Sequence, residues 1–293
     1  MDSNQNEDVR IKKPTTFSEQ VEILMARGLT IEDRATAEDI LSKISYYRLS
    51  AYTLHCKQSN KFKDGVSIEN IYALYEFDKK FRNLVAGTLE SIEIAFRTQI
   101  AYTLAHEYEA TGYLNSDNFL DESVHKDTVD KLLNEIDRSD EIFVKHHKDK
   151  YEGVFPIWVA IEVASFGLVS RIYSNLKNED KSTISKTYYN LPHRYVKSWL
   201  YALSTFRSKC AHHGRIYNKK LTIKPILHKK DLQKGIRNDQ VFSVLYIIKK
   251  LIRDSSEWNG FVTNLEALIE SYDMVDTNLM GFPEKWIEIL RTS

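Results

Sequence analysis

An arginine and two histidines stand close together in the stretch FRSKCAHHGRIYN, residues 206–218. Arg207 supplies a planar donor group suited to a phosphate. His212 or His213 supplies an imidazole that can transfer a proton near neutral pH. These groups could hold an RNA phosphodiester and move protons during its cleavage, without a metal if the RNA 2′-hydroxyl is the nucleophile. The structural alternative is a basic helix end whose side chains cap carbonyl groups.

The element that must position this motif is a helix predicted over residues 192–212. Gly214 is expected to adopt a left-handed conformation just beyond the helix, with His212 at the last helical position. Five helical positions correspond to about 140° around the axis, so Arg207 and His212 share a face only if the helix ends between them. The motif also offers one well-placed imidazole per chain. Two copies facing each other in a homodimer would supply both an acid and a base.

The motif lies in a strongly basic block within a chain whose formal net charge is zero. Residues 193–237 contain 12 Lys and Arg and a single acid, Asp231. A positive field of this kind suits a polyanion such as RNA, whereas a solvated basic surface is the alternative. The block and motif together predict RNA contacts at six positions: Lys209, Arg215, Lys219, Lys220, Lys229 and Lys230.

The composition is that of a globular protein, with 42% hydrophobic and 28% charged residues among 293. The two cysteines, Cys56 and Cys210, provide neither a disulfide framework nor a thiolate zinc site. No His or acidic motif has metal-ligand spacing and no nucleotide-binding glycine motif is present, so no metal or cofactor is predicted. The polar N-terminus and the lack of an 18-residue apolar run predict no signal peptide, no membrane segment and a cytoplasmic location.

Apolar residues recur at helical spacing through most of the chain, which predicts an all-α fold. The longest such segment runs over residues 67–108, and residues 156–176 are predicted to form one central core helix that begins at a proline. No convincing strand pattern is present. We expect a disordered tail at 1–13, an N-terminal helical extension at 14–66 and a helical bundle at 67–293.

An acidic face is predicted on the long helix, because Glu90, Glu93 and Arg97 lie at positions i, i+3 and i+7. An acid on this face could orient Arg207 or His212 from a neighbouring helix. A surface ion-pair ladder is the alternative.

The motif and its surroundings resemble a known family. RSKCAHHGRIYN is similar to the R-x4-6-H signature of the HEPN superfamily of helical RNases, and the chain resembles the Abi branch, the AbiD/AbiF-like abortive-infection proteins. The resemblance covers nearly the whole chain. Its segments, in order, are KPTTFSEQVEILMARGL (13–29), ILSKISYYRLSAY (40–52), YEFDKKFRNLVAGTLESIEIAFRTQIAY (75–102), PIWVAIEVASFGLVSRIYSNL (156–176), the motif, and MGFPEKW (280–286).

The resemblance implies a HEPN-type helical bundle that dimerises and pairs its motifs in one cleft. It also implies metal-independent endoribonuclease activity that leaves 2′,3′-cyclic phosphate and 5′-hydroxyl ends. Arg207 and His212 fall on the two defining positions. The family also tolerates R-x5-H, so His213 competes with His212. Ser208 departs from the usual Asn, His or Asp after the arginine, and its shorter reach predicts weaker catalysis.

The sequence therefore predicts an RNase of a phage-defence or toxin–antitoxin system, with RNA as substrate and an antitoxin, RNA or protein, as a further partner. One alternative is a non-catalytic RNA-binding protein of the same fold. The other is a helical protein-interaction module that binds no nucleic acid.

Overall fold

The computed structural model describes residues 13–292. The tail predicted at 1–13 lies outside these residues except for Lys13. Helices account for most of the described chain, which confirms the all-α class. The chain forms two compact units, one up to Glu76 and one from Phe77 onward. The predicted extension at 14–66 and bundle at 67–293 stay predictions.

The first unit consists of short helices and one small hairpin. Thr16 caps the first helix through a reciprocal capping box with Glu19. The hairpin was not apparent in the sequence because each strand has two residues; its turn places Ser59 and Asn60 at positive φ, as a tight hairpin requires. The elements are α1 (Phe17–Ala26), α2 (Arg34–Lys43), α3 (Tyr46–Ser50), β1 (Lys57–Gln58), β2 (Lys61–Phe62) and the start of α4 (Ile68–Tyr108).

The second unit is a helical bundle built on the rest of α4. Apolar residues of α4 from Phe81 to Ile100 recur every three or four positions and are buried, as the periodicity predicts. The helix that carries the motif, His193–Ala211, packs mainly against the helix Phe166–Asn175 and also against the helices Asn178–Tyr189 and Phe242–Leu251. The remaining helices are α5 (Glu122–Arg138), α6 (Ile142–Lys150), α7 (Ile157–Ala160), α8 (Phe166–Asn175), α9 (Asn178–Tyr189), α10 (His193–Ala211), α11 (Lys229–Leu232), α12 (Phe242–Leu251), α13 (Ser255–Glu270) and α14 (Trp286–Arg291).

The prediction of one helix over 156–176 is wrong, because the backbone is extended at Ala164 and Ser165 between α7 and α8. Side chains from two other helices hold this break. Arg97 Nη2 donates to the Ala164 carbonyl at 2.7 Å. The Ser165 amide and hydroxyl donate to the Glu135 carboxylate at 2.8 and 3.0 Å. The break makes Ser165 the residue that precedes α8.

The backbone just after the motif is anchored by a buried carboxylate. Asp78 of α4 is fully buried and pairs with Arg82 at 2.5 Å. It also accepts hydrogen bonds from the backbone amides of Ile216 and Tyr217, the latter at 2.8 Å. A buried carboxylate needs such partners to offset its lost hydration, so this contact fixes where the chain leaves the motif.

No helix among residues 13–292 is long and apolar enough to cross a membrane.

Candidate active site

The motif residues Arg207, Ser208 and His212 line one open groove of about 470 Å³, which we call the motif groove. One wall is α10, and the other is the segment 165–167 at the start of α8. The helix α10 ends at Ala211, between Arg207 and His212. This meets the condition under which the two side chains can share a site despite their five-residue spacing.

The two adjacent histidines take different places. His212 forms the C-cap of α10, and its amide donates to the Ser208 carbonyl at 3.0 Å. His213 is the left-handed residue, with φ of 55°, and is not among the residues that line the motif groove. The structure thus places His212, and not His213, with Arg207 in the lining of the motif groove.

The prediction that Gly214 adopts the left-handed conformation is wrong, because His213 adopts it instead. The glycine is required for a different reason. A Cβ atom at Gly214 would lie 2.8 Å from Lys209 Cγ and 3.2 Å from the Lys209 carbonyl oxygen. Its amide also donates to that carbonyl at 2.9 Å, so the chain folds tightly against the last turn of α10.

A buried carboxylate from α4 lies behind Arg207. The Glu93 side chain is 8% exposed; its Oε1 is 2.6 Å from Arg97 Nη2 and its Oε2 is 3.7 Å from Arg207 Nε. The longer distance is an ion pair without a hydrogen bond. Arg207 remains 48% exposed, so it can be held by Glu93 and still meet an anion from solvent. Glu93 is close enough to pair with Arg207, and its role in orienting the arginine stays a prediction.

Three of the six residues predicted to contact RNA form a cationic cluster beside the motif. Burial, followed by the charges of Lys219 and Arg215, lowers the pKa of Lys209 to about 8. Arg215 is turned toward its own loop, where Nη1 donates to the carbonyls of Tyr217 and Asn218 at 2.8 and 3.1 Å. Much of the donor capacity of Arg215 is therefore used inside the protein.

The other three predicted RNA contacts are exposed lysines after the motif. Lys220 forms an ion pair with Asp239 at 3.2 Å, which offsets part of its charge. Lys229 and Lys230 lie on α11, whose first turn is capped by His228. None of the six residues lines the motif groove. Any contact they make with RNA is outside the groove.

Other reactive groups near the motif have structural explanations. Cys210 is buried, and burial raises the pKa of its thiol to about 12, so it is a poor nucleophile. Among residues 13–292, no group of three or more His, Cys, Asp or Glu side chains is arranged to hold a metal ion.

Sequence reasoning missed several residues of the motif groove. Tyr201 and Thr205, which sequence reasoning missed, lie seven and three positions before Ser208 on α10, so helical spacing could have placed them on the face of that residue. The opposite wall at 165–167 carried no such signal, because it depends on the break in the predicted helix.

Comparison with protein-family models matches residues 39–218 to the family described as Abi-like protein. The match spans 180 residues, from 39 through 218, and includes Glu93, Arg207 and His212. Neither the comparison with curated proteins nor that with solved structures gave a match.

Proposed function

The chain belongs to the Abi-like protein family, and from this premise we propose that it is an endoribonuclease of an abortive-infection or toxin–antitoxin system. The observation that carries the proposal is the meeting of Arg207, Ser208 and His212 in one open groove. Buried Glu93 supports it, since this carboxylate holds Arg207 while half of the arginine side chain stays accessible. The resemblance to HEPN RNases implies that Arg207 and His212 take part in the reaction.

In the proposed reaction, Arg207 pairs with the non-bridging oxygens of the scissile phosphate and stabilises their charge. A histidine removes the proton of the RNA 2′-hydroxyl, and the 2′-oxygen forms a bond to phosphorus. The bond from phosphorus to the 5′-oxygen breaks, and that oxygen takes a proton from an acid. The products are a 2′,3′-cyclic phosphate and a 5′-hydroxyl, and the nucleophile comes from the substrate.

The reaction needs a base and an acid, and His212 is the one imidazole among the described residues that line the motif groove. We therefore propose that two copies of the chain pair their motifs in a homodimer, so that one His212 accepts a proton and the other donates one. In this proposal the protein acts on RNA in the cytoplasm without a cofactor, and an antitoxin, RNA or protein, restrains it.

The test is incubation of the purified protein with total RNA in the presence of EDTA, followed by analysis of the product ends. We expect cleavage by the wild type and loss of cleavage in Arg207→Ala and His212→Ala. Both positions are exposed, so truncation leaves no core cavity and folding should be kept. His146→Ala, at an exposed histidine of α6, is the matched control. Full activity in His212→Ala would overturn the proposed site.

A non-catalytic RNA-binding protein is the second candidate, and Ser208 is the observation that favours it. Ser208 lines the motif groove with a short side chain where the family usually has Asn, His or Asp. RNA binding without cleavage by the wild type would support this alternative. The variant Ser208→Asn distinguishes a weak RNase from a non-catalytic RNA-binding protein. If Ser208 only weakens catalysis, the longer side chain should increase measurable cleavage. A protein that binds no RNA would instead be an interaction module.

A further inference from the structure

A second groove, of about 800 Å³, lies between α8, α9 and α10. Its lining includes five basic side chains, and no Asp or Glu of the described part of the chain lines it. We call it the cationic groove, after Arg171, Lys181, His193, Arg194 and Lys197. A concave surface with one sign of charge raises the local concentration of an anionic ligand.

Lys181 is the deepest of these cations, since the residue is only 2% exposed. Within the described residues its Nζ has one weak partner, the Ser174 carbonyl at 3.3 Å. Burial, followed by the charge of Lys197, lowers the pKa of Lys181. The adjacent Asp180 offsets part of this effect but accepts a hydrogen bond from Tyr108 at 2.9 Å. A buried ammonium group with unused donors is costly without an anion nearby.

His193 adds a second polar group with unused hydrogen-bonding capacity. Its Nδ1 atom is buried and makes no hydrogen bond in the structure. Burial and the neighbouring Lys181, Lys197 and Lys186 lower the pKa of its imidazole. Lys181 therefore has N–H donors that an oxyanion in the groove would use, and His193 has one in the tautomer that carries its proton on Nδ1.

The exposed cations of the groove differ in how far their charge is already compensated. Arg171 pairs with Asp127 at 2.6 Å, so it contributes least. Arg194 lies over the ring of its neighbour Tyr195 and has no acidic partner among residues 13–292. Lys197 is exposed and likewise lacks an acidic partner in the part of the chain that the structure describes. Arg194 and Lys197 are therefore the charges that an anionic ligand in the groove can reach.

The cationic groove continues into the motif groove. Gly167 and Tyr201 line both, and Tyr201 is 56% exposed at the junction. Lys197 and Arg207 lie ten residues apart on α10, or about 15 Å along the helix axis. An exposed aromatic ring between two phosphate-binding regions suits a base of a single strand, which can stack on it.

We propose that the cationic groove binds the phosphates of single-stranded RNA that flank the scissile phosphate, with Tyr201 stacking on a base between the two grooves. The proposal rests on the proposed function, since it assigns to that site the adjoining part of its substrate. The proposal predicts that affinity for a long RNA strand depends on residues of the cationic groove, which the cleavage reaction itself does not need.

Binding is measured by fluorescence anisotropy of a labelled 12-nucleotide single-stranded RNA with His212→Ala at several salt concentrations. Adding both Arg194→Gln and Lys197→Gln to the His212→Ala protein should weaken RNA binding at least tenfold. It should also flatten the log–log slope of affinity against salt by about 1.4, since two phosphate contacts are lost. Adding Tyr201→Ala should weaken binding about fivefold or more with the slope unchanged. Lys145→Gln removes an exposed lysine outside the groove and is the control. Unchanged affinity and slope in the double variant would overturn the proposal.

Cleavage separates this proposal from the proposed function. With His212 intact, the double variant should cleave a dinucleoside monophosphate as fast as the wild type and show a raised KM for the 12-nucleotide strand. Loss of dinucleotide cleavage, with an unchanged circular dichroism spectrum, would contradict a role limited to flanking phosphates. Strand binding that depends on Arg194 and Lys197 without cleavage by the wild type would contradict only the proposed function.

Discussion

At the scale of single residues, Glu93 connects the candidate site to the structure around it. Its carboxylate meets Arg97 and Arg207, and Arg97 also holds the carbonyl of Ala164. One buried ion pair therefore links the arginine of the motif to the break that forms the opposite wall of the motif groove. Burying such an ion pair costs desolvation free energy. Its role here is therefore to fix the position of Arg207 relative to the break at Ala164.

Lys209 carries a prediction about stability and pH. Burial and nearby cations lower the pKa of Lys209 from 10.5 to about 8. Between these values the unfolded chain binds more protons than the folded chain, so the contribution of Lys209 to stability rises with pH across this window. Lys209→Met should therefore be more stable than the wild type below pH 8, and this advantage should shrink by about pH 10.5.

The measurement is urea unfolding of both proteins at pH 7, 9 and 10.5. Lys249, whose pKa burial also lowers to about 8, is present in both proteins and cancels in the comparison. Lys145→Met on α6 is the control, because it removes an exposed lysine. A stability difference that stays constant with pH would show that the charge of Lys209 is not the cause.

At the scale of elements, the C-terminus of α10 makes its two histidines unequal. A residue other than glycine in the left-handed conformation costs about 1 kcal/mol or more, and after glycine Asn is the residue that commonly takes this position at a helix end. His213→Asn should therefore keep or slightly raise thermal stability and retain cleavage within about threefold. His212→Asn should remove cleavage with little change in stability. Thermal unfolding and RNA cleavage of both variants check this; loss of activity in His213→Asn alone would reverse the assignment.

The elements also indicate what the sequence could predict. Its periodicity predicted a long helix over 67–108, and α4 occupies Ile68–Tyr108. The spacing of Glu90, Glu93 and Arg97 predicted one helix face that either orients the motif or carries a surface ion-pair ladder, and Glu93 lies 2.6 Å from Arg97 and 3.7 Å from Arg207. These features depend on local spacing along one helix, which hydrophobic patterning captures.

The features that could not be predicted depend on tertiary contacts. The apolar run at 156–176 has helical character throughout, yet Arg97 and Glu135 hold it open at Ala164 and Ser165. The left-handed residue is His213, and Gly214 is needed because Lys209 packs against it. The cationic groove draws Arg171 and Lys181 from helices outside the basic block, so charge counting along the chain missed it.

At the scale of the whole molecule, the proposed homodimer makes a prediction about shared activity. If the two His212 side chains serve one reaction, a dimer with one His212→Ala chain should lose nearly all activity. Mixed dimers are prepared with two affinity tags and isolated by purification on both. Mixed dimers of wild type with His146→Ala are the control and should remain fully active. Half of the wild-type activity in the His212→Ala mixed dimer would mean that each site works alone.

The last prediction concerns RNA binding by the basic block, residues 193–237, which carries 12 Lys and Arg and one acid. If four to six of these residues meet phosphates of a single strand, the log–log slope of affinity against salt should be roughly −3 to −4, at about −0.7 for each contact. Replacing Lys219, Lys220, Lys229 and Lys230 with Gln should flatten the slope and weaken binding for all sequences alike. Lys220 should contribute least, because Asp239 already pairs with it.

The measurement uses labelled RNA and His212→Ala at several salt concentrations, so that binding is separated from cleavage. The matched control replaces four lysines of α5 and α6 outside the block, namely Lys126, Lys145, Lys148 and Lys150, and should leave the slope unchanged. The four test lysines follow α10 and are exposed, so their loss should not disturb the core. At saturating RNA, cleavage by the quadruple variant with His212 intact should match the wild type, because Arg207 and His212 are untouched. A slope near zero, or one that the four replacements leave unchanged, would mean that the block is an ordinary solvated surface and that RNA binds elsewhere.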